Sequence, residues 1–108
     1  MARTVRWTDA ATRDLAEVAE FIARDSRFYA MTLVRQARAA AKSLRTLSER
    51  GRLVPEAHAS DVRELSVKSW RLIYRVAPKE VTVIAFVYGA RDLGALWKRQ
   101  GGVPSSEE

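Results

Sequence analysis

Five cationic side chains in the second half of the chain could bind phosphate or stabilise negative charge. They are Arg63, Lys68, Arg71, Arg75 and Arg91. Arg71 and Arg75 share one face of a predicted β-strand, with Ile73 between them. Arginine is always charged and its planar donors suit phosphate, so the group could stabilise charge that develops at phosphorus. The alternative is structural: Glu64 and Asp92 form ion pairs with the cations beside them, and the other cations only line an open sheet face.

A second basic group lies on one face of a predicted helix, away from its apolar residues. Its members, spaced three, four and three, are Arg35, Arg38, Lys42 and Arg45; we call them the basic stripe. The stripe could lie along an acidic protein segment or a phosphate backbone. A solvated face of an amphipathic helix has the same pattern. The spacing alone leaves both interpretations open.

Groups that usually carry catalysis or bind metals are scarce. His58 is the only histidine, in a loop with Glu56 and Asp61, and the chain has no cysteine. This composition disfavours serine–histidine and cysteine–histidine hydrolases and excludes cysteine-ligated zinc. A single loop histidine does not make a ligand set, so we expect no metal and no cofactor. Trp97 could stack on a base or pack under a partner helix; core packing is the alternative.

The composition is that of one soluble domain. The chain has 108 residues, of which 47% are hydrophobic and 30% are charged, and this excludes a wholly disordered chain. The net charge of +6 fits an anionic partner such as nucleic acid or an acidic protein segment. No apolar run approaches the ~20 residues of a membrane helix, and the start of the chain has no secretory signal. We therefore expect a cytoplasmic protein without a membrane partner.

Two helices must position the basic stripe. Apolar residues recur at helical spacing from Ala11 to Ile22, with Thr8 as the N-cap, and Ser26 offers the cap of a second helix. The apolar seam of the second helix is Leu33, Ala37, Ala40, Leu44 and Leu47. Such a narrow seam indicates an antiparallel helical hairpin. Gly51 is expected to end the second helix with a positive φ.

A sheet must position the other cations, because the apolar period changes from 3.6 to 2 after the hairpin. Residues 63–67 and 70–76 alternate, and residues 81–88 are almost wholly apolar, which predicts a three-stranded antiparallel meander. A short strand precedes the helices and a short helix capped by Asp92 follows the sheet. The predicted class is α+β, with the meander packed on the helices. We expect residues 1–100 to form a single domain and residues 101–108 to form a flexible C-terminal tail.

Four stretches in this order resemble the RelE/ParE superfamily of bacterial type II toxins, over roughly Val5 to Leu93. They are Val5–Ala11 with Asp14 and Leu15, Gly51–Glu56, Val62–Leu65 with Trp70–Val76, and Val87–Leu93. A tyrosine is more usual in the family at the place of Trp70, and a histidine is common at the place of Tyr88. The resemblance implies the fold of that superfamily.

RelE-like members of the superfamily cleave messenger RNA in the ribosome, using basic residues on the sheet. Similarity to them implies that Arg71 and Arg91 stabilise phosphate. The lysines expected on the first meander strand are replaced by residues such as Arg63 and Leu65. Trp97 stands near the position of a family tyrosine, and an indole cannot exchange a proton as a phenol can.

The Arg-Glu-Leu and Gly-Ala-Arg-Asp-Leu stretches resemble ParE more closely, and ParE toxins poison DNA gyrase by binding it rather than by catalysis. This resemblance implies a ParD-like antitoxin and a hetero-oligomeric complex. The five sheet cations and Trp97 are then candidates for target binding, and the basic stripe is the candidate for antitoxin binding. The alternatives are a RelE-like endoribonuclease that acts on the ribosome and a basic nucleic-acid-binding module. We expect Arg71→Ala or Arg91→Ala to weaken toxicity more than folding.

Overall fold

The computed structural model describes residues 2–107, which form a five-stranded sheet with helices on both faces. The elements are β1 (Thr4–Trp7), α1 (Asp9–Ala23), α2 (Arg27–Ser43), β2 (Arg52–Leu53), β3 (Val62–Val67), β4 (Trp70–Val76), β5 (Glu80–Tyr88) and α3 (Leu93–Gln100). A 3₁₀ turn, Pro55–Ala57, lies between β2 and β3. Within residues 2–107, no helix combines the length and the apolarity that crossing a bilayer requires.

Side-chain caps begin both helices of the hairpin, as the sequence predicts. Thr8 Oγ1 accepts a hydrogen bond of 3.0 Å from the backbone N–H of Ala11, and Ser26 Oγ accepts one of 3.2 Å from that of Tyr29. Each cap satisfies a donor that the first turn of a helix leaves unpaired. The predicted boundary between the two helices is therefore confirmed.

The second helix is shorter than its predicted seam. It ends at Ser43, so Leu47 lies beyond it and is 57% exposed. Within the helix Ala41 is buried, whereas Ala40 is only partly buried. The prediction is wrong for these last positions because the buried side chains follow the 3.6-residue period of a straight helix. The buried stripe of α2 and its C-cap is Ala30, Leu33, Ala37, Ala41 and Leu44.

Gly51 has a different role from the predicted helix end. Among residues 2–107 the glycines with positive φ are Gly101 and Gly102, not Gly51. A Cβ atom at Gly51 would lie 2.5 Å from the carbonyl oxygen of Glu64 and 2.5 Å from Tyr74 Oη. The position needs glycine for space, because the chain passes directly against β3 and β4 here.

The predicted antiparallel meander is present, but the sheet is larger and mixed. The strand order is β1-β5-β4-β3-β2, with β3, β4 and β5 antiparallel. β1 joins the edge of β5 in parallel, from the pair Thr4–Glu80 to the pair Trp7–Val83. β2 adds a two-residue antiparallel strand against β3, in a segment that the sequence predicts as a loop.

Two hydrophobic clusters lie on opposite faces of the sheet. On one face α1 and α2 pack on residues such as Leu72, Tyr74 and Phe86. On the other face α3 packs through Leu93 and Trp97. Strands β4 and β5 are apolar over most of their length because both of their faces are covered.

The residues after α3 return to the sheet. Val103 packs against the α3-side cluster, and the Pro104 carbonyl accepts a hydrogen bond of 3.2 Å from Arg75 Nε. The flexibility of residues 101–108 stays a prediction.

Candidate functional site

Arg71 lies inside an ion-pair network rather than on an open face. Its Nη1 and Nη2 donate to the two carboxylate oxygens of Glu56 at 3.1 and 2.9 Å, and its Nε donates to Glu64 Oε1. Glu64 Oε2 accepts a second hydrogen bond, of 2.7 Å, from Arg52 Nε. Arg71 is 8% exposed and Glu64 is 3% exposed. Two guanidinium groups and two carboxylates thus neutralise one another; we call these four residues the arginine–glutamate network.

Two members of the network, Glu56 and Arg71, shift each other's pKa. The side-chain hydrogen bond from Arg71 lowers the pKa of Glu56, and the same bond raises the pKa of Arg71. A carboxylate that accepts two parallel N–H bonds from one guanidinium is held in its charged form. The charged forms of Glu56 and Arg71 therefore stabilise each other.

Arg75 and Arg63 also hold structural elements together. Arg75 shares the α3-side face with Arg71, as predicted, and its Nη1 donates to Asp61 Oδ2 at 2.9 Å. Arg63 Nη1 donates to the Gly51 carbonyl at 2.8 Å. For Arg71 and Arg75 the sequence predicts an open face, and that prediction is wrong because the 3₁₀ turn, α3 and the residues after it cover this face.

Lys68 and Arg91 are the two sheet cations that stay free. Both are exposed, and neither forms an ion pair among residues 2–107. Lys68 occupies the β3–β4 turn with a φ of 57°, and the N–H of Arg91 donates to the Tyr88 carbonyl at 3.0 Å. The five predicted cations therefore do not converge on one phosphate site.

Trp97 is 3% exposed and belongs to the α3-side cluster, together with Ile73 and Ile84. Its ring has no open face on which a base could stack. The packing alternative therefore describes its position, and the suggested surface role is corrected.

The basic stripe is exposed, in contrast to the arginines of the sheet. Arg35, Arg38 and Lys42 lie on α2, and Arg45 lies two residues beyond its end. None of the four forms an ion pair in the part of the chain that the structure describes. Their charge is thus available to a partner.

An apolar groove of about 620 Å³ runs between α1 and α2 beside the stripe. Arg35 and Arg38 line its edge, and Met31 lies in it with 61% of its surface exposed. The other apolar lining residues are Ala19, Ala23, Ala30 and Val34. We call it the hairpin groove. It combines apolar surface with unpaired cations, which is the pattern that an acidic amphipathic segment complements.

A second cleft, of about 480 Å³, lies between α1 and α3 at the edge of β5; we call it the edge cleft. Asp14 projects into it from α1, and its Oδ2 accepts a hydrogen bond of 3.1 Å from the backbone N–H of Phe86. Burial raises the pKa of Asp14, although the hydrogen bond from Phe86 opposes the shift. Arg91 and Glu17 line the same cleft.

No ligand set for a metal ion converges in residues 2–107. His58 is exposed at the end of the 3₁₀ turn, with a φ of 50°. The surface features that remain for function are the basic stripe with the hairpin groove, and the edge cleft with Arg91.

The family model described as ParE toxin of type II toxin-antitoxin system, parDE, matches residues 5–93. The chain belongs to the ParE toxin family. The match runs from the second residue of β1 to the first residue of α3, so it includes the hairpin, all of the sheet except Thr4, and the arginine–glutamate network. The protein is thus a type II toxin of the RelE/ParE superfamily, as the sequence resemblance implied.

Solved structures that are similar in fold include two toxin–antitoxin proteins. The structure titled chromosomal ParDE TA system from P. aeruginosa superposes with a TM-score of 0.66 at 20% identity, covering 81% of this chain and 96% of that chain. The toxin–antitoxin complex RelBE2 from Mycobacterium tuberculosis superposes with a TM-score of 0.57 at 21% identity, covering 82% and 99%. No curated protein sequence is significantly similar to the chain.

The sequence interpretation missed Glu56 and Arg52 as members of the network, and Asp14 as an acceptor at the sheet edge. One signal was present: Glu64 lies in an alternating strand next to the strand of Arg71, and cross-strand ion pairs are common there. Glu56 is brought in by a turn, and Asp14 by the crossing of α1 over β5. No local pattern specifies either contact.

Proposed function

We propose that the protein inhibits DNA gyrase by binding it, without catalysing a reaction itself. The observation that carries the proposal is the position of Arg71. A guanidinium that cleaves RNA must contact the scissile phosphate, whereas that of Arg71 is buried and clamped by Glu56 and Glu64. Membership of the ParE family supports the same choice. Gyrase acts on chromosomal DNA, so the proposal places the toxin in the cytoplasm.

A cognate, ParD-like antitoxin is the second partner in this proposal, in a hetero-oligomeric complex. The basic stripe supplies charge for an acidic segment, and the hairpin groove supplies apolar surface for its helix. Charge pairs at an interface mainly raise the association rate, while apolar burial carries the affinity. The two solved structures named above are titled as a toxin–antitoxin system and a toxin–antitoxin complex, which supports this partner.

The test uses purified toxin in three parallel assays. We expect it to inhibit supercoiling by gyrase and to trap cleaved DNA, and its antitoxin to reverse both effects. Messenger RNA cut on programmed ribosomes, with gyrase unaffected, would identify a RelE-like endoribonuclease, in which Arg91 is the exposed one of the two candidate phosphate-binding residues Arg71 and Arg91. Salt-sensitive binding to bare DNA with neither activity would identify a nucleic-acid-binding module.

A control variant makes the gyrase assay specific. Lys98→Glu with Arg99→Glu reverses the charge of two exposed residues at the end of α3. The resulting net charge equals that of Arg38→Glu with Lys42→Glu, a double reversal in the basic stripe. We expect this control to inhibit gyrase as the wild type does. Equal loss in every charge-reversed variant would mean that inhibition follows net charge rather than a binding surface.

A further inference from the structure

Strand β5 extends beyond its neighbour at the sheet edge. The parallel pairing of β1 with β5 stops at Trp7 and Val83, whereas β5 continues to Tyr88. Its other side stays paired with β4 as far as the pair Trp70–Tyr88. Among residues 2–107, no strand therefore lies beside the outer edge of β5 after Val83. Such an edge is a template for another strand.

The edge cleft has the shape of a slot for that strand. The edge of β5, from Ile84 to Tyr88, forms its floor. One wall is α1, with Asp14, Glu17 and Phe21 among its lining residues; the other is α3, with Leu96, Trp97 and Gln100. A segment in the slot would form a sixth strand between two helical layers, about 4.8 Å from β5.

The backbone groups of the edge also face the slot. Gly89 N–H donates to the Ser69 carbonyl at 2.8 Å on the β4 side, so the N–H of Tyr88 points the other way, into the cleft. The N–H of Phe86 points there too, and the Asp14 carboxylate accepts from it. The cleft thus offers the Tyr88 donor and the Phe86 carbonyl for a new ladder. Because Asp14 already accepts from the Phe86 N–H, the hydrogen bonds to an added strand would begin next to Asp14.

The charge of the slot differs from that of the rest of the molecule. Two carboxylates, Asp14 and Glu17, face one guanidinium, that of Arg91, in a protein of net charge +6. Trp70 lies on the α1 side, stacked on Phe86 with ring centroids 5.8 Å apart. Because the side chains of a strand alternate between faces, a bound segment would place one set against the acidic α1 wall and the other against the apolar α3 wall.

We propose that the edge cleft binds an extended segment of the toxin's protein target as an added β-strand, in which basic side chains facing α1 alternate with apolar side chains facing α3. The inference rests on the proposed function, since it names how the target is held. It assigns the acidic antitoxin to the other side of the molecule, at the hairpin groove. Main-chain hydrogen bonds supply the affinity of such a strand, and the two walls supply its specificity.

Tyr88→Pro tests the added ladder, with Tyr88→Ala as its matched control. Both variants remove the same exposed ring, but only proline removes the N–H. Since that N–H faces the cleft, proline there removes no bond to β4. Circular dichroism and thermal unfolding establish that each variant is folded before binding is compared.

Glu17→Lys tests the charge of the α1 wall and does not depend on tolerance of proline, because Glu17 is exposed on a helix. Glu20→Lys makes the same change one turn along α1, at the hairpin groove, and is the matched control. We expect Glu17→Lys to weaken binding in the edge cleft and Glu20→Lys to leave it unchanged.

The first readout uses an acetylated and amidated hexapeptide in which arginine and valine alternate, titrated into labelled toxin and followed by NMR. We expect saturable shifts of the Phe86 and Val87 amide signals. Tyr88→Pro and Glu17→Lys should each weaken this binding on the order of tenfold, or about 1.4 kcal/mol. A peptide with glutamate in place of arginine should not bind. Shifts confined to the hairpin groove, or equal binding by variants and controls, overturn the proposal.

The second readout is gyrase inhibition, with antitoxin affinity measured beside it. We expect Tyr88→Pro and Glu17→Lys to lose inhibition and to bind the antitoxin as the wild type does. If they lose antitoxin binding instead, the cleft belongs to the antitoxin and the inference fails. If wild-type toxin does not inhibit gyrase while the peptide binds as described, the proposed function fails. The inference that the edge cleft binds an added β-strand is then still supported.

Discussion

The centre of the sheet and the surface of α2 both carry arginines, in opposite electrostatic states. Arg71 pairs with Glu56 and Glu64, and Arg52 also pairs with Glu64, whereas the basic stripe has no carboxylate partner in the described residues. The sequence shows both as clusters of positive charge. Burial distinguishes them: a charge inside the fold must be paired, and a charge on the surface need not be. Cations available to partners are therefore those that the fold leaves exposed.

The largest effect is expected from Arg71→Ala. The change leaves Glu64, 3% exposed, without its main partner, so the free energy of unfolding should fall by about 3–5 kcal/mol. The burial of Arg71 therefore leads to the opposite expectation from that of the sequence, which places the larger loss in toxicity. Urea unfolding measures the effect, with Arg91→Ala as the exposed control, expected within about 0.5 kcal/mol of wild type. Equal stability of the two variants would contradict the distinction between a buried, paired arginine and an exposed, unpaired one.

A smaller loss is expected from Gly51→Ala, which acts on the same region through its backbone. The new methyl group would meet the carbonyl oxygen of Glu64, and overpacking of this kind costs about 1–3 kcal/mol. Gly94→Ala in α3 is the control, because the nearest atom to its Cβ is 3.8 Å away. That control should gain about 0.5–1 kcal/mol from helix propensity. If Gly51→Ala is neutral, the close approach to β3 is not required.

Glu56→Gln should remove the pH dependence of stability that the ion pair of Glu56 with Arg71 contributes. The folded pKa of Glu56 is lowered, so the folded state binds fewer protons than the unfolded state as pH falls. Its stabilisation is complete above the ordinary range of a glutamate and is lost as pH falls through the lowered pKa. Wild type should therefore unfold at a higher temperature than Glu56→Gln at pH 7, and the two should converge near pH 2. A constant difference across this range would exclude the ionised pair as the cause.

The smallest effect on stability is expected on α2. Arg38→Glu with Lys42→Glu should cost about 1 kcal/mol or less, because both side chains are exposed. Association with the antitoxin should slow markedly and lose much of its dependence on salt. Stopped-flow mixing measures both, with Lys98→Glu plus Arg99→Glu as the control of equal charge. An unchanged association rate would mean that the stripe contacts only water.

Local patterns were sufficient for most of the fold. The caps at Thr8, Ser26 and Asp92 and the alternation of the meander strands depend on neighbours along the chain, and each is confirmed. The parallel addition of β1 and the placement of α3 on the opposite face depend on tertiary packing. No period in the sequence encodes those choices.

The candidate site was less predictable for the same reason. The alternation correctly placed Arg71 and Arg75 on one face, but only the folded chain shows that Glu56 and Asp61 cover it. The edge cleft exists because β5 continues beyond the last residue that pairs with β1. This difference in strand length involves two segments that are far apart in the sequence. Charge patterns therefore identified cations, and the fold decided which of them are free.

The most direct test of the account removes the buried charges together. Arg71→Met with Glu64→Met replaces the buried ion pair with apolar side chains, and the two groups that lose a partner, Glu56 and Arg52, both reach solvent. We predict that this variant folds and inhibits gyrase supercoiling as the wild type does, per mole of folded protein. A folded variant that has lost inhibition would show that the Arg71 guanidinium acts on the target, and would contradict the structural role assigned to it.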